Sequence, residues 1–253
     1  MASTINSTVA VAIVCKAPIA GQSKTRLSPP LRPDECAALS ACFIRDISQT
    51  IDTLAAAGDV TGYAVYTPGG SEDVLRPLLP DRFRLLLQGE GDLGARLRKA
   101  TADLLGIGHA GIILVNSDAP TLPKAILRAA VDAVRGGDNV VLSPALDGGY
   151  TLIGLSRPHT GLFLNIPWST DKVYRLTLER ARELGLPVVN VPGWYDVDDA
   201  ASLQMLTDEL SGRRPAFADA NLVGADAPAS RQFLRANLAI DQGIGLGKTF
   251  QRR

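Results

Sequence analysis

The chain has only two histidines, three cysteines and 5% aromatic residues among its 253, and each scarcity closes off a class. Two histidines, His109 and His159, exclude a multi-histidine metal centre by count. Cys15, Cys36 and Cys42 form an odd set without CxxC spacing, which predicts buried thiols in a reducing compartment, not a disulfide framework. Excess charge of one sign is also lacking: 26 basic residues balance 26 acidic ones, so no overall field draws in nucleic acid or an anionic membrane. The apolar run Val9 to Cys15 is far short of the ~20 residues of a membrane helix, and the residues before it lack the basic region of a signal peptide. A cytoplasmic protein without membrane partners is expected. What remains, 46% apolar and 21% charged, is the composition of a globular enzyme.

Hydrophobic periodicity divides the chain into alternating elements. Val9 to Cys15 is a short continuous apolar run, the pattern of a strand buried on both faces of a parallel sheet. Cys36, Leu39, Phe43, Ile47, Ile51 and Leu54 then step by three or four along one helical stripe. Strands over 60–67, 82–88, 112–116 and 140–143 alternate with helices over 72–79, 93–105 and 123–135, which predicts a mostly parallel, doubly wound sheet. The link from Ser143 to Tyr150 is too short for a parallel crossover, so a hairpin is expected there and the sheet is mixed. A helix over 170–184 with Ser169 or Thr170 as its cap, a strand over 188–191 and a helix over 199–210 complete the pattern. One domain over 1–212 follows, with 213–253 as a C-terminal extension, dispensable for the core, that holds one short helix over 230–238.

Lys16, Lys24 and Arg26 surround Gly21 on the loop after the first strand, where ligands of open α/β sheets bind, and they suit phosphate. The loop is not a P-loop, because Pro18 and Ser23 stand where glycines are needed. Gly243 to Thr249 imitates one more closely but follows no strand, so it reads as a terminus. Asp118 emerges at the end of an apolar strand, a place suited to Mg²⁺ or Mn²⁺, although a turn aspartate looks the same in sequence. Asp196-Val-Asp-Asp199 precedes the last helix; Asp198 or Asp199 serves as its cap, which leaves Asp196 without a capping role. Asp92 caps the helix after Gln88-Gly-Glu-Gly. Trp168-Ser-Thr170 opens a helix whose N-terminus can meet an anion.

Six motifs recur together: Lys16-x-Pro18-x-x-Gly21-x-x-Lys24-Thr25-Arg26-Leu27, Gln88-x-x-Gly-Asp92-Leu-Gly94, Ser117-Asp-x-Pro120, Asp147-Gly148-Gly149-Tyr150-x-Leu-Ile-Gly-Leu155, Trp168-Ser169-Thr170 and Asp196-x-Asp198. Over roughly residues 9 to 210 this set resembles the DUF2064 family, glycosyltransferase-A-like proteins often labelled arsenosugar-biosynthesis-type glycosyltransferases. The first loop is also distantly similar to the Lys-Ser-Arg-Leu loop of phospholactate guanylyltransferases. The resemblance implies a three-layer α/β/α nucleotide-diphosphosugar-transferase fold. It implies a nucleotide held by Lys16, Pro18, Gly21, Lys24, Thr25, Arg26, Gln88, Asp92 and Gly94. The second substrate falls to Gly148, Gly149, Tyr150, Trp168, Ser169 and Thr170, Mg²⁺ or Mn²⁺ to Asp118, Asp196 and Asp198, and catalytic roles to Lys24 and Asp147. One departure counts: the Asp-x-Asp of metal-dependent glycosyltransferases reads Asn116-Ser117-Asp118 here.

The expected activity is metal-dependent sugar transfer from a nucleotide-activated donor to a small acceptor, with Asp147 as acceptor base. The alternative is nucleotidyl transfer from a nucleoside triphosphate to a phosphorylated acceptor with pyrophosphate release, which needs no protein base. Nucleobase, sugar, acceptor and oligomeric state are not written in the motifs, and a homo-oligomer stays open.

Overall fold

The computed structural model describes residues 6–238, so the Gly243 to Thr249 segment lies outside the described residues. The chain runs β1 (Asn6–Lys16), α1 (Pro33–Ala55), β2 (Val60–Thr67), α2 (Glu72–Leu75), β3 (Arg84–Leu87), α3 (Leu93–Gly106), β4 (His109–Asn116), α4 (Lys124–Arg135), β5 (Val140–Pro144), β6 (Tyr150–Leu155), α5 (Val173–Glu183), β7 (Val188–Asn190), α6 (Ala200–Leu210) and α7 (Pro228–Asn237). The strands form one seven-stranded sheet in the order β3-β2-β1-β4-β6-β5-β7. All neighbours are parallel except β6, which pairs antiparallel with β4 on one side and β5 on the other. The expected hairpin is therefore present, and β6 is its returning strand.

Strand alternation explains the three layers. Val9, Val11, Ile13 and Cys15 of β1 and Ile113 and Val115 of β4 face one core, shared with the stripe of α1 and with α4, α6 and α7. Ala10, Ala12, Ile112 and Leu114 face the opposite core, under α3 and α5. Every member of the predicted α1 stripe, from Cys36 to Leu54, is buried. The cysteines are free thiols, Cys15 and Cys36 buried and Cys42 half-buried. Among the described residues no helix is long and apolar enough to cross a membrane.

Two expectations need correction. The helix over 72–79 is α2 followed by a 3-10 turn at Arg76–Leu78, because Pro77 has no N–H to continue the α-helical ladder. α5 starts at Val173 with Lys172 at its cap, so neither Ser169 nor Thr170 caps it; Ser169 lies at φ 63°, and the Thr170 hydroxyl donates back to the Pro167 carbonyl at 2.8 Å. The described part of the extension, 213–238, packs on the core. Ala227 and Leu234 are buried in it, and α7 packs on α1.

Candidate active site

The carboxyl ends of β1, β3 and β4 and the β5–β6 link open on one cleft of about 610 Å³. Of the residues singled out in the sequence, Lys16, Lys24, Thr25, Arg26, Gln88, Asp118, Asp147, Gly149, Tyr150, Trp168, Ser169, Thr170, Asp196 and Asp198 line it. Pro18, Gly21, Asp92, Gly94 and Gly148 do not.

The first loop is stapled before it reaches the cleft. The hydroxyl of buried Ser23 accepts the Ile19 N–H at 3.0 Å and donates to the Ala17 carbonyl at 3.4 Å, and Gly21 turns the chain at φ 74°. Lys24 follows in the left-handed region, φ 50° and ψ 39°, which a non-glycine residue adopts only against a steric penalty. That backbone turns its side chain inward, to 6% exposure. Its ammonium donates to Asp118 Oδ2 at 2.8 Å, Asp198 Oδ1 at 2.8 Å and the Val197 carbonyl at 2.7 Å. Burial alone would lower the Lys24 pKa, but Asp118 and Asp198 more than offset it and hold it above the ordinary lysine value. Lys16 and Arg26 remain exposed on the cleft wall.

The acidic wall is equally supported. Val197 donates its N–H to the Asp118 carbonyl at 2.8 Å, tying the end of β4 to the segment that carries Asp196 and Asp198. Beneath it, Trp194 Nε1 donates to Thr121 Oγ1 at 3.1 Å and the Tyr195 hydroxyl donates to Glu209, a polar knot that fixes the segment leading to the two aspartates. Asp199 caps α6 by accepting the Ser202 N–H at 2.8 Å, as expected, which leaves Asp196 and Asp198 to the cleft.

The β5–β6 link delivers a third carboxylate. Gly148 sits at φ 86°, and a Cβ there would lie 2.2 Å from the Asp171 carbonyl oxygen, so only glycine allows the link to close on the start of α5. Asp147 accepts the Gly149 N–H at 2.8 Å. One oxygen each of Asp147, Asp196 and Asp198 lie within 4.8 Å of one another. Burial, then the neighbouring Asp147 and Asp198, push the Asp196 carboxyl up to about 7. The converging set thus differs in one member from the expected Asp118, Asp196 and Asp198: Asp147, read as a base, joins the carboxylates, while Asp118 is paired to Lys24.

The other wall is apolar, with Leu97, Leu114, Ile153 and Val173 around Tyr150 and Trp168. Gln88 Nε2 donates to the Cys15 and Val65 carbonyls at 3.1 and 2.9 Å, which fixes its amide at the cleft. Asp92 caps α3 through the Ala95 N–H at 2.8 Å. Arg96 was not singled out in sequence, yet it lines the cleft from the first turn of α3. Its place two residues after Gly94, on the exposed side of a capped helix start, was the available signal.

Comparison with known proteins places this architecture. The chain is 27% identical to a protein of Desulfovibrio desulfuricans G20 described as a "putative nucleotide-diphospho-sugar transferase", over 91% of this chain and 95% of that one, with a TM-score of 0.76. It shares its fold with CMP:2-keto-3-deoxy-manno-octonic acid synthetase in complex with CTP, at 11% identity over 79% of this chain and 97% of that one and a TM-score of 0.50. A 4-diphosphocytidyl-2C-methyl-D-erythritol synthase of Anaerococcus prevotii DSM 20548 gives 10% identity, 79% and 95% coverage and the same TM-score of 0.50. No curated protein matches the chain. The resemblance read from the motifs stands: residues 50–170 match the DUF2064 family, described as an uncharacterized protein conserved in bacteria, on a nucleotide-diphosphosugar-transferase-like fold.

Proposed function

We propose that the protein is a metal-dependent transferase that moves a sugar from a nucleotide-activated donor to a small acceptor. The observation that carries this reading is the single cleft in which cations of the first loop face three converging carboxylates across the carboxyl edge of the sheet. Lys16 and Arg26 would bind the donor's phosphates, with Thr25, Gln88 and Arg96 on the nucleotide side. The hard oxygen donors of Asp147, Asp196 and Asp198 fit Mg²⁺ or Mn²⁺, and their mutual crowding is what a dication relieves. When bound, such an ion neutralises charge on the departing diphosphate. The apolar wall around Trp168 and Tyr150 would seat the transferred group and the acceptor. The 27% identical Desulfovibrio protein supports the sugar-transfer reading by its description.

One observation favours the second reading, nucleotidyl transfer. Asp147 belongs to the carboxylate cluster, so it does not stand apart as an acceptor base, and attack by an anionic phosphate needs none. Incubation with Mn²⁺ and a panel of nucleotide sugars and triphosphates separates the two. Release of nucleoside diphosphate with transfer of the sugar supports the first; pyrophosphate release dependent on a phosphorylated acceptor supports the second. Asp147→Asn adds a check, since severe loss of transfer with Mn²⁺ affinity retained is the signature of a base.

A further inference from the structure

An ammonium has three protons to donate, and Lys24 has spent all three. Its acceptors are Asp118 Oδ2 at 2.8 Å, Asp198 Oδ1 at 2.8 Å and the Val197 carbonyl at 2.7 Å, and the centroid of the Phe43 ring lies 5.7 Å away. A lysine held in this way has no N–H left for a phosphate. One of its acceptors, Asp198, is also a member of the converging triad with Asp147 and Asp196. The same carboxylate therefore faces two rival cations, one tethered to the first loop and one from solution.

We propose that Lys24 is a positioning residue that holds Asp118 and Asp198 in place of a divalent cation, and that the cation's arrival at Asp198 releases its ammonium toward the donor's phosphates. The inference rests on the metal-dependent reading of the cleft. A dication and an ammonium on one carboxylate oppose each other, so metal alone binds against Lys24. Once a phosphate is present, the displaced ammonium gains a new anionic partner, and metal and nucleotide favour each other reciprocally. The side chain stays protonated throughout and only changes partners. The backbone that enables this exchange is short: a glycine turn at Gly21, then Lys24 at positive φ just before the turn Thr25–Leu27.

This assignment makes a prediction of opposite signs that a plain phosphate-binding or structural lysine does not. Calorimetric titration of Mn²⁺ alone into Lys24→Met is expected to show affinity about tenfold or more above wild type, the loss of one competing charge-assisted contact. In saturating Mn²⁺ the same variant is expected to bind a nucleoside triphosphate about tenfold or more weakly. Lys24→Arg, which keeps the rival charge, is expected to bind Mn²⁺ no more tightly than wild type and serves if the Met variant does not melt cooperatively. Mn²⁺ affinity in Lys24→Met equal to or below wild type overturns the inference, as does an Arg variant that binds Mn²⁺ more tightly. Failure of the transferase reading looks different: no product from any donor, with the inverted Mn²⁺ affinity intact.

Discussion

Asp46, midway along α1, and Ser230, at the start of α7, are 184 residues apart and joined by two hydrogen bonds: Asp46 Oδ2 accepts the Ser230 N–H at 2.8 Å and its hydroxyl at 2.6 Å. The other oxygen accepts the Ala229 N–H at 3.0 Å. A carboxylate on one helix thus satisfies the open N–H groups of another. Burial pushes the Asp46 carboxyl up and these three bonds pull it back.

Truncation after Arg214 is therefore expected to destabilise the core. It strips Ala227 and Leu234 from the core shared with α1 and removes the partners of Asp46, a loss of about 3 kcal/mol or more. Thermal melting by circular dichroism checks it. A truncated chain melting within a few degrees of full length would restore the expectation of a dispensable extension.

Asp196→Asn is expected to raise the melting temperature in chelator at pH 8, because it removes a charge crowded by Asp147 and Asp198. The same variant should lose the stabilisation that wild type gains on adding Mn²⁺. A lower melting temperature in chelator would mean that the carboxylate is held by contacts other than these.

His109 gives a pH dependence. Its ring nitrogens meet Thr8 Oγ1 at 2.9 Å and the Tyr63 hydroxyl at 2.8 Å, and burial lowers its pKa below the usual 6.5, with Arg84 acting the same way. The unfolded chain then takes up a proton that the folded one resists. The stabilisation is present above pH 6.5 and lost as pH falls below it. Denaturant titrations between pH 7.5 and 5 should show a shallower decline for His109→Gln than for wild type.

Gly94→Ala should disturb the apolar wall from behind. A Cβ at this position would lie 2.7 Å from the Phe163 carbonyl oxygen and 2.7 Å from Trp168 Nε1. The indole must move, and the backbone must shift as well, because the Phe163 carbonyl cannot rotate out of the way. About 1–3 kcal/mol of destabilisation is expected. A changed fluorescence of Trp168 and a raised KM for the second substrate, with Mn²⁺ affinity unchanged, would confirm that the wall and the carboxylates are independent.

What was legible in the sequence is what local pattern dictates. The β1 run, the α1 stripe and the Asp199 cap depend on neighbours within a turn or a strand, and each appears where periodicity placed it. The short link before Tyr150 sufficed to predict a hairpin. What local pattern leaves open is contact between residues far apart along the chain. Lys24 meets Asp198 across 174 residues, and no spacing within the first loop distinguishes a lysine that waits for phosphate from one already paired. A short helix over 230–238 was visible, but not the aspartate on α1 that receives it. Asp147 is the one carboxylate of its own loop, and its acidic neighbours in space come from another loop entirely.

The reversed strand β6 divides the labour of the cleft. The first loop and the end of β4 hang on parallel strands that the fold cannot reroute without unpicking its centre, whereas the β5–β6 link is a surface hairpin of a few residues between Pro144 and Tyr150. Rewriting that hairpin around Asp147 and Gly148 would leave the strand order untouched. Under the proposed function this link is the part of the cleft free to vary, and a chimera that exchanges residues 145–149 while keeping Asp147 and Gly148 is the smallest graft that tests whether it selects the acceptor.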